Sequence, residues 1–408
     1  MTARRGRGWR WAGGVVGLAA IMAACQERLT SPAECPELCP GGSAQVFDTI
    51  VPAVPNRDSS FTGYVGRGGG VALLVSDGFS ASDDRAIYRF APRTDSVRVR
   101  DTLRTYTVDS AVIGLTLVAR DTNVNGLRVF LYRLPPTIDS TATFASVDPL
   151  LADSALIDSI VVPDSVNSGA ITTVLRGADA DRLGLVPGGD SVLAIGLRIV
   201  ADVPTGIRVG SIVGANAATF TSYVTVDVPD TGLVRNQSLS RATEFNTFVT
   251  RDPLVPVDSL LTVGGEPSSR ALIRFGLPDA FLDSATVVRA TLELLPARPI
   301  LGLPTDPTLL DTRLVLGDIG AKSPVTVDPT FIQFDTLPAV QTDTVRVEVT
   351  RMVQAWQASR ARPQSLFLTL RPEAASFTRA VFGSTRSPSI GAPRLRITYQ
   401  RSFPFETP

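Results

Sequence analysis

From Val46 onward the chain is a succession of apolar runs of 4–8 residues, and this restricts it to sheets. Clear cases are Val71–Val75, Ala86–Phe90, Val112–Val118, Leu127–Tyr132, Val192–Leu197 and Tyr223–Val228. Leu127, Val129 and Leu131, like Val224, Val226 and Val228, are spaced by two, so each set lies on one face of a strand and needs a second layer to cover it. The runs are punctuated by 33 Gly, 30 Pro and Asp-Ser pairs at 95–96, 109–110, 139–140, 153–154, 190–191 and 258–259. Asp and Ser side chains bond nearby backbone and favour turns. Many short strands with such turns predict an all-β sandwich or barrel.

One segment has the other period. Val349, Met352, Val353 and Trp356 stand at i, i+3, i+4 and i+7, which places them on one helix face, and Pro363 ends the pattern. The spacing predicts a short helix laid across a sheet. On that stripe Trp356 reads as a core residue rather than a sugar-stacking platform.

The sequence also repeats itself. Arg85–Phe90 matches Arg270–Phe275, and Ile113–Leu117 parallels Ala290–Leu294. Val192–Arg198 parallels Ser365–Arg371, and Val224–Val228 parallels Leu395–Tyr399. The order is kept while the offset drifts from 185 to 171, as differing loop lengths would make it. The polar stretch from Pro229, with Asn236, Gln237, Ser238 and Ser240, reads as a linker. The expected layout is domain 1 at 46–228, a linker at 229–242, domain 2 at 243–400 and a tail at 401–408.

The second copy resembles the DNRLRE domain, a secreted sandwich related to carbohydrate-binding module family 96. The resemblance is carried by Arg270–Phe275, Ala290–Leu294, Val347–Trp356, Ser365–Leu370 and Ala392–Tyr399. The first copy departs from it, having Thr173–Leu183 where the second has the Trp-bearing segment. The resemblance implies two tandem jelly-roll-like antiparallel β-sandwich domains, a short helix in the second, and a place outside the cytoplasm with carbohydrate binding as one role.

The N-terminus has the layout of an export signal. Arg4, Arg5, Arg7 and Arg10 precede an uncharged, mostly apolar stretch, Trp11–Ala24, which is short for a membrane-spanning helix. It ends Met22-Ala-Ala-Cys25, which resembles the bacterial lipobox. That resemblance implies a signal peptide over 1–24, lipid attachment at Cys25 and a tether over 25–45 holding the protein to a membrane of the bacterial envelope. Cys35 and Cys39 can close a small disulfide loop in an oxidising compartment.

Several chemistries are excluded. The chain has no His, which removes Ser-His-Asp and Cys-His nucleophiles, imidazole acid–base catalysis and His-ligated zinc. Its three Cys all precede the strands. Lys and Arg total 39 against 39 Asp and Glu, so there is no basic field for nucleic acid.

The candidate ligand-binding residues are Arg85 with Arg89 and Arg270 with Arg274. At i and i+4 on a strand each pair shares a face, opposite to Ala86, Tyr88 and Phe90 in the first case. A solvated face, a basic platform for an acidic glycan and structural ion pairs are the three readings. Gly66–Gly70 reads as a turn, since no Lys-Ser/Thr ending follows it. Asp83, Asp84, Asp179 and Asp181 could offer oxygen ligands to a structural calcium, although neither pair fits an EF-hand loop. The function expected is a non-catalytic, lipid-anchored binding module, with polysaccharide as the expected partner. A spacer in an envelope assembly is the alternative. A hydrolase is a third, and would require two buried carboxyls facing each other, one with a raised pKa.

Overall fold

The apolar runs do form strands. The structure, a computed structural model, describes residues 46–63, 65–79, 82–99, 101–181, 183, 191–228, 232–251, 255–319, 326–387 and 389–401. The export segment, Cys25, Cys35 and Cys39 lie outside the described residues.

In chain order the strands are β1 (Val46–Pro52), β2 (Ser59–Thr62), β3 (Ala72–Asp77), β4 (Asp84–Phe90), β5 (Val97–Val99), β6 (Thr102–Arg104), β7 (Tyr106–Arg120) and β8 (Arg128–Leu134). Next come β9 (Leu156–Val161), β10 (Gly169–Arg176), β11 (Ala194–Ile199), β12 (Thr205–Gly210), β13 (Thr219–Val228), β14 (Gly232–Arg241) and β15 (Thr243–Thr250). The rest are β16 (Leu260–Gly264), β17 (Ser269–Arg274), β18 (Ala285–Leu294), β19 (Thr308–Gly317), β20 (Thr326–Leu337), β21 (Val345–Glu348), β22 (Ser365–Arg371), β23 (Arg379–Gly383) and β24 (Arg394–Arg401). Four short helices are α1 (Phe144–Val147), α2 (Ala178–Asp181), α3 (Asp279–Ser284) and α4 (Thr350–Ala358). Among the described residues no helix is long and apolar enough to cross a membrane.

The fold is all-β and built as two sandwiches. In the first, β14-β13-β7-β12-β3-β4-β11-β8-β9 form one hydrogen-bonded path, with β10 on β7 and β15 on β4. This eleven-stranded sheet folds over itself at β3 and β4, which share the single pair Ser76↔Asp84. Alternation then turns Ala86, Tyr88 and Phe90 into the core with Ile113, Leu115 and Phe220. Tyr88 also gives its hydroxyl to the Gly210 carbonyl of β12 at 2.5 Å, which ties strand to strand across that core. In the second sandwich, the four-stranded sheet β1-β24-β18-β21 covers the seven-stranded sheet β20-β19-β22-β17-β16-β23, to which β2 adds through β17.

Both sandwiches follow one pairing plan. The order β15-β4-β11-β8-β9 is matched by β2-β17-β22-β19-β20, and β14-β13-β7-β10 by β1-β24-β18-β21. The repeated segments fall on matching strands: β4 with β17, β7 with β18, β11 with β22 and β13 with β24. The chain order departs from the plan in one respect. β1 and β2 precede the first sandwich in sequence but pair within the second, while β14 and β15 precede the second but pair within the first.

Strand pairing therefore crosses the expected domain boundaries. The stretch expected as a linker holds β14, paired with β13 from Phe220↔Arg241 to Val228↔Gly232. Its polar residues look like a linker because an edge strand has a solvated side.

The sandwiches are also joined by packing, and residues 48–408 form one compact unit. Leu303 and Phe377, from loops of the second sandwich, complete the core of the first. The Phe377 ring meets Phe79 edge-on at 5.0 Å. It passes so close to Gly206 that a Cβ there would come within 2.9 Å of it. Burying a Phe contributes about 1.5–3 kcal/mol. Arg208 pairs with Asp306 beside it, and Thr305 donates to the Arg120 carbonyl at 2.5 Å.

The expected helix is α4. It buries Met352, Val353, Ala355 and Trp356, with buried Val349 just ahead of it. The Trp356 ring lies 6.3 Å from Phe275, in the core. The Asp-Ser pair at 109–110 is not a turn but lies inside β7, on its outward side, where Asp109 accepts from Thr225 at 2.5 Å. Residues 67–69 form one 3-10 turn ahead of β3.

Candidate functional site

The four nominated arginines all have partners inside the chain. Arg85 is 1% exposed. Its Nε reaches Asp148 at 3.0 Å, its Nη1 the Ser76 carbonyl at 2.8 Å, and Phe144 of α1 lies under the guanidinium at 5.2 Å. Arg89 donates to the Ile138 carbonyl at 2.8 Å and stacks on Phe245. Arg270 makes two bonds to Glu373, at 2.6 and 2.9 Å. Arg274 makes two to Asp318, at 2.5 and 2.6 Å, and one to the Arg57 carbonyl. The sharing of one face within each pair was readable from period two. The loops that supply the partners were not.

Buried carboxyls occur where the two sandwiches meet. Asp84 of β4 and Glu266 of the β16–β17 turn are 2% and 7% exposed. Ser76 donates to Asp84 Oδ2 at 2.6 Å, and the Thr250 hydroxyl lies 2.7 Å from Asp84 Oδ1 and 3.0 Å from Glu266 Oε2. No donor faces Glu266 Oε1. A protonated Glu266 giving its own proton to Asp84 satisfies both groups, since two adjacent buried carboxyls cannot both ionise. Burial, with the Asp84 charge and its hydrogen bond added, pushes the Glu266 pKa well up. Burial likewise raises Asp84, against the hydrogen bonds from Ser76 and Thr250. This is the carboxyl arrangement a hydrolase would require, but it is enclosed on all sides. Asp83, one residue earlier, pairs with Arg251 at 2.8 Å. Among the described residues no group of three or more carboxylates or thiols is placed to hold a metal ion.

The outer face of the four-stranded sheet differs in being open. Alternation buries Ala290, Leu292, Leu294, Val345, Val347, Leu395 and Ile397 against the seven-stranded sheet. It turns Arg289, Thr291 and Glu293 of β18 outward, together with Arg346 and Glu348 of β21 and Arg394, Arg396 and Thr398 of β24. Register then sets the rows. Glu293 lies between Arg394 and Arg346, Thr291 between Arg396 and Glu348, and Arg289 beside Thr398. Asp48 of β1 closes the edge, accepting from Arg396 at 2.8 Å and Thr398 at 2.5 Å.

Four guanidinium groups thus share three carboxylates. Arg289, Arg346 and Arg396 keep 69%, 65% and 57% of their side chains exposed. Each has five N–H donors, and the carboxylates engage only part of them. Burial would raise the Glu293 pKa, but hydrogen bonds and charge from Arg394 and Arg346 outweigh it and hold the carboxyl below its ordinary value. Glu293 therefore stays ionised and fixes two arginines side by side. Seven of these residues line a shallow depression of about 330 Å³. A larger depression near β8, about 930 Å³, is walled mainly by prolines and aliphatic groups, with Arg133 and Asp153 its only charged residues.

The outer face holds no aromatic side chain. The exposed aromatics among the described residues, Tyr223 of β13 and Phe334 of β20, stand in different sheets. The arginine face escaped the sequence reading, although its signal was present: Arg-x-Arg at 394–396 and Arg289-x-Thr-x-Glu293 alternate with core residues.

No protein-family model matches this sequence, and a search of curated proteins returns no match. The class that fold and surface define is an all-β, two-sandwich protein with a charged sheet face.

Proposed function

We propose that the chain is a lipid-anchored protein of the bacterial envelope whose second sandwich binds an acidic polysaccharide on the outer face of its four-stranded sheet. The observation that carries this reading is the set of exposed, partly engaged guanidinium groups held in register by Glu293, Glu348 and Asp48. Guanidinium donors match sugar carboxylates or sulfates in geometry and charge. A flat, aromatic-free face suits an extended anionic chain better than a single stacked ring. The DNRLRE resemblance of the second copy and the lipobox at Cys25 support the same reading.

The experiment titrates the full chain with a uronate polymer and with a neutral dextran of equal length. The uronate polymer binds and the dextran does not, and rising salt weakens binding. Changing Arg289, Arg346 and Arg396 together to Ala lowers affinity at least tenfold without lowering the melting temperature, because all three are exposed. Equal binding of both polymers, or no loss in the triple variant, counts against the site.

A spacer role is the second reading. It is favoured by the join between the sandwiches, where Phe377 and Leu303 sit in the neighbouring core. Retention of no glycan by a stable, monomeric chain would favour it. Enclosure of Asp84 and Glu266 speaks against the hydrolase.

A further inference from the structure

Arg379, the first residue of β23, is 6% exposed. Its Nε and Nη1 are sealed from solvent and have no hydrogen-bond partner. The other buried arginines each have one. Arg85 has Asp148, Arg93 has Asp95, Arg208 has Asp306, and Arg120 has the carbonyls of Asp121, Val124 and Pro163. Arg241 has the Tyr106 hydroxyl and the Phe220 ring. Among the described residues Arg379 has neither carboxylate nor carbonyl.

Its surroundings add positive charge. Leu301 exchanges both backbone bonds with Arg379, at 3.0 and 3.1 Å, and so holds the loop carrying exposed Arg298 against β23. Arg298 is close enough to repel it. Beneath the side chain lies Gly265, where a Cβ would come within 3.1 Å of Arg379 Cδ. At the matching place in the first sandwich, opposite Ser76 as Arg379 is opposite Gly264, stands Gly206, covered by Phe377. The second sandwich has put a cation where the first has none.

A buried, unpaired guanidinium costs several kcal/mol, because it gives up water and gains no counter-charge. Burial and Arg298 pull its pKa down only to about 10, so it stays charged at neutral pH. A counter-charge from outside the chain removes the cost.

We propose that Arg379, with the exposed Arg298 near it, is a binding site for an oxyanion, either free phosphate or sulfate or the acidic group of a larger ligand. It lies in the seven-stranded sheet and is independent of the arginine face on the four-stranded one.

The test is calorimetric titration of the full chain with sodium sulfate and with inorganic phosphate at constant ionic strength, alongside melts in chloride buffer. Saturable binding is expected, lost at least tenfold in Arg379→Met and unchanged in the Arg289/Arg346/Arg396 triple variant. In chloride alone, Arg379→Met should melt at or above the wild type, since it removes an unpaired buried cation. Arg298→Ala, exposed and structurally mild, should weaken binding severalfold. In the Arg289/Arg346/Arg396 triple variant, binding of a short uronate oligomer that sulfate displaces identifies the acidic group of a larger ligand as the source, whereas binding of sulfate and phosphate alone identifies a free anion. The proposal is overturned by non-saturable binding in the wild type, by undiminished binding in Arg379→Met or Arg298→Ala, or by a lower melting temperature for Arg379→Met in chloride.

Discussion

Trp356 and Glu266 are buried side chains of opposite chemistry, one a ring in the second core and one a carboxyl beside Asp84. The helical period around Trp356 placed it in the core, and there it is fully buried, with its indole N–H unpartnered. Trp356→Ala should cost about 3–5 kcal/mol in chemical denaturation. Trp356→Phe should cost distinctly less, because it keeps a ring and removes an orphan donor. Glu266 gave no signal, being a lone acid before Pro267, and only the tertiary fold brings Asp84 to it. The pair has a pH consequence. Both groups hold a proton more tightly when folded, so between the ordinary carboxyl range and the raised folded values the unfolded chain has released protons that the folded chain keeps. Raising pH through that window therefore favours unfolding. The site's stabilisation is complete below the unfolded pKa and lost as pH rises through the folded one. Asp121, raised by burial, acts in the same direction. With no His in the chain, no imbalance of imidazole charge obscures the effect. Melts from pH 5 to pH 8, above the range in which the lowered carboxyls Asp48, Asp139, Glu293 and Asp328 titrate, should fall for the wild type and fall less for Glu266→Gln, which cannot ionise. At pH 8 the variant should be the more stable by roughly 1–3 kcal/mol. Parallel curves would contradict a shared proton.

Elements were readable wherever one face is buried. Leu127, Val129 and Leu131 all face the core, as do Val224, Val226 and Val228. The period says that a segment is a strand and which residues it buries, but it says nothing of the edge the strand completes. Hence β14 passed for a linker, and the partners of β1 and β2 were hidden. The same limit concealed the arginine face, because outward residues are recognised only once register lines up three strands. Glu293 is the element-scale keystone of that face, fixing Arg394 and Arg346 at once. Glu293→Gln should leave unfolding free energy within about 1 kcal/mol of the wild type, yet weaken uronate binding severalfold by freeing both arginines. An increase in affinity, from lost negative charge alone, would show that position matters less than charge.

At the scale of the whole molecule, the exchanged strands decide which fragments can fold. Residues 243–408, the second domain with its tail by the repeat pattern, lack β1 and β2 and carry β15, whose partner is β4. That fragment should aggregate or melt without cooperativity. Prefixing it with residues 46–63 through a flexible linker should restore a cooperative melt, followed by circular dichroism. Cooperative melting of 243–408 alone would refute the exchange. The join at Phe377 and Leu303 keeps either half from turning independently. On the proposed reading one arginine set holds the fold while another meets a ligand. NMR of arginine side-chain Nε–Hε signals, recorded while an acidic glycan is added to the full chain, tests it most directly. The signals of Arg289, Arg346, Arg394 and Arg396 should move and saturate together, while those of Arg85, Arg89, Arg270 and Arg274 stay fixed. Movement of the second set with the first unmoved would contradict the account.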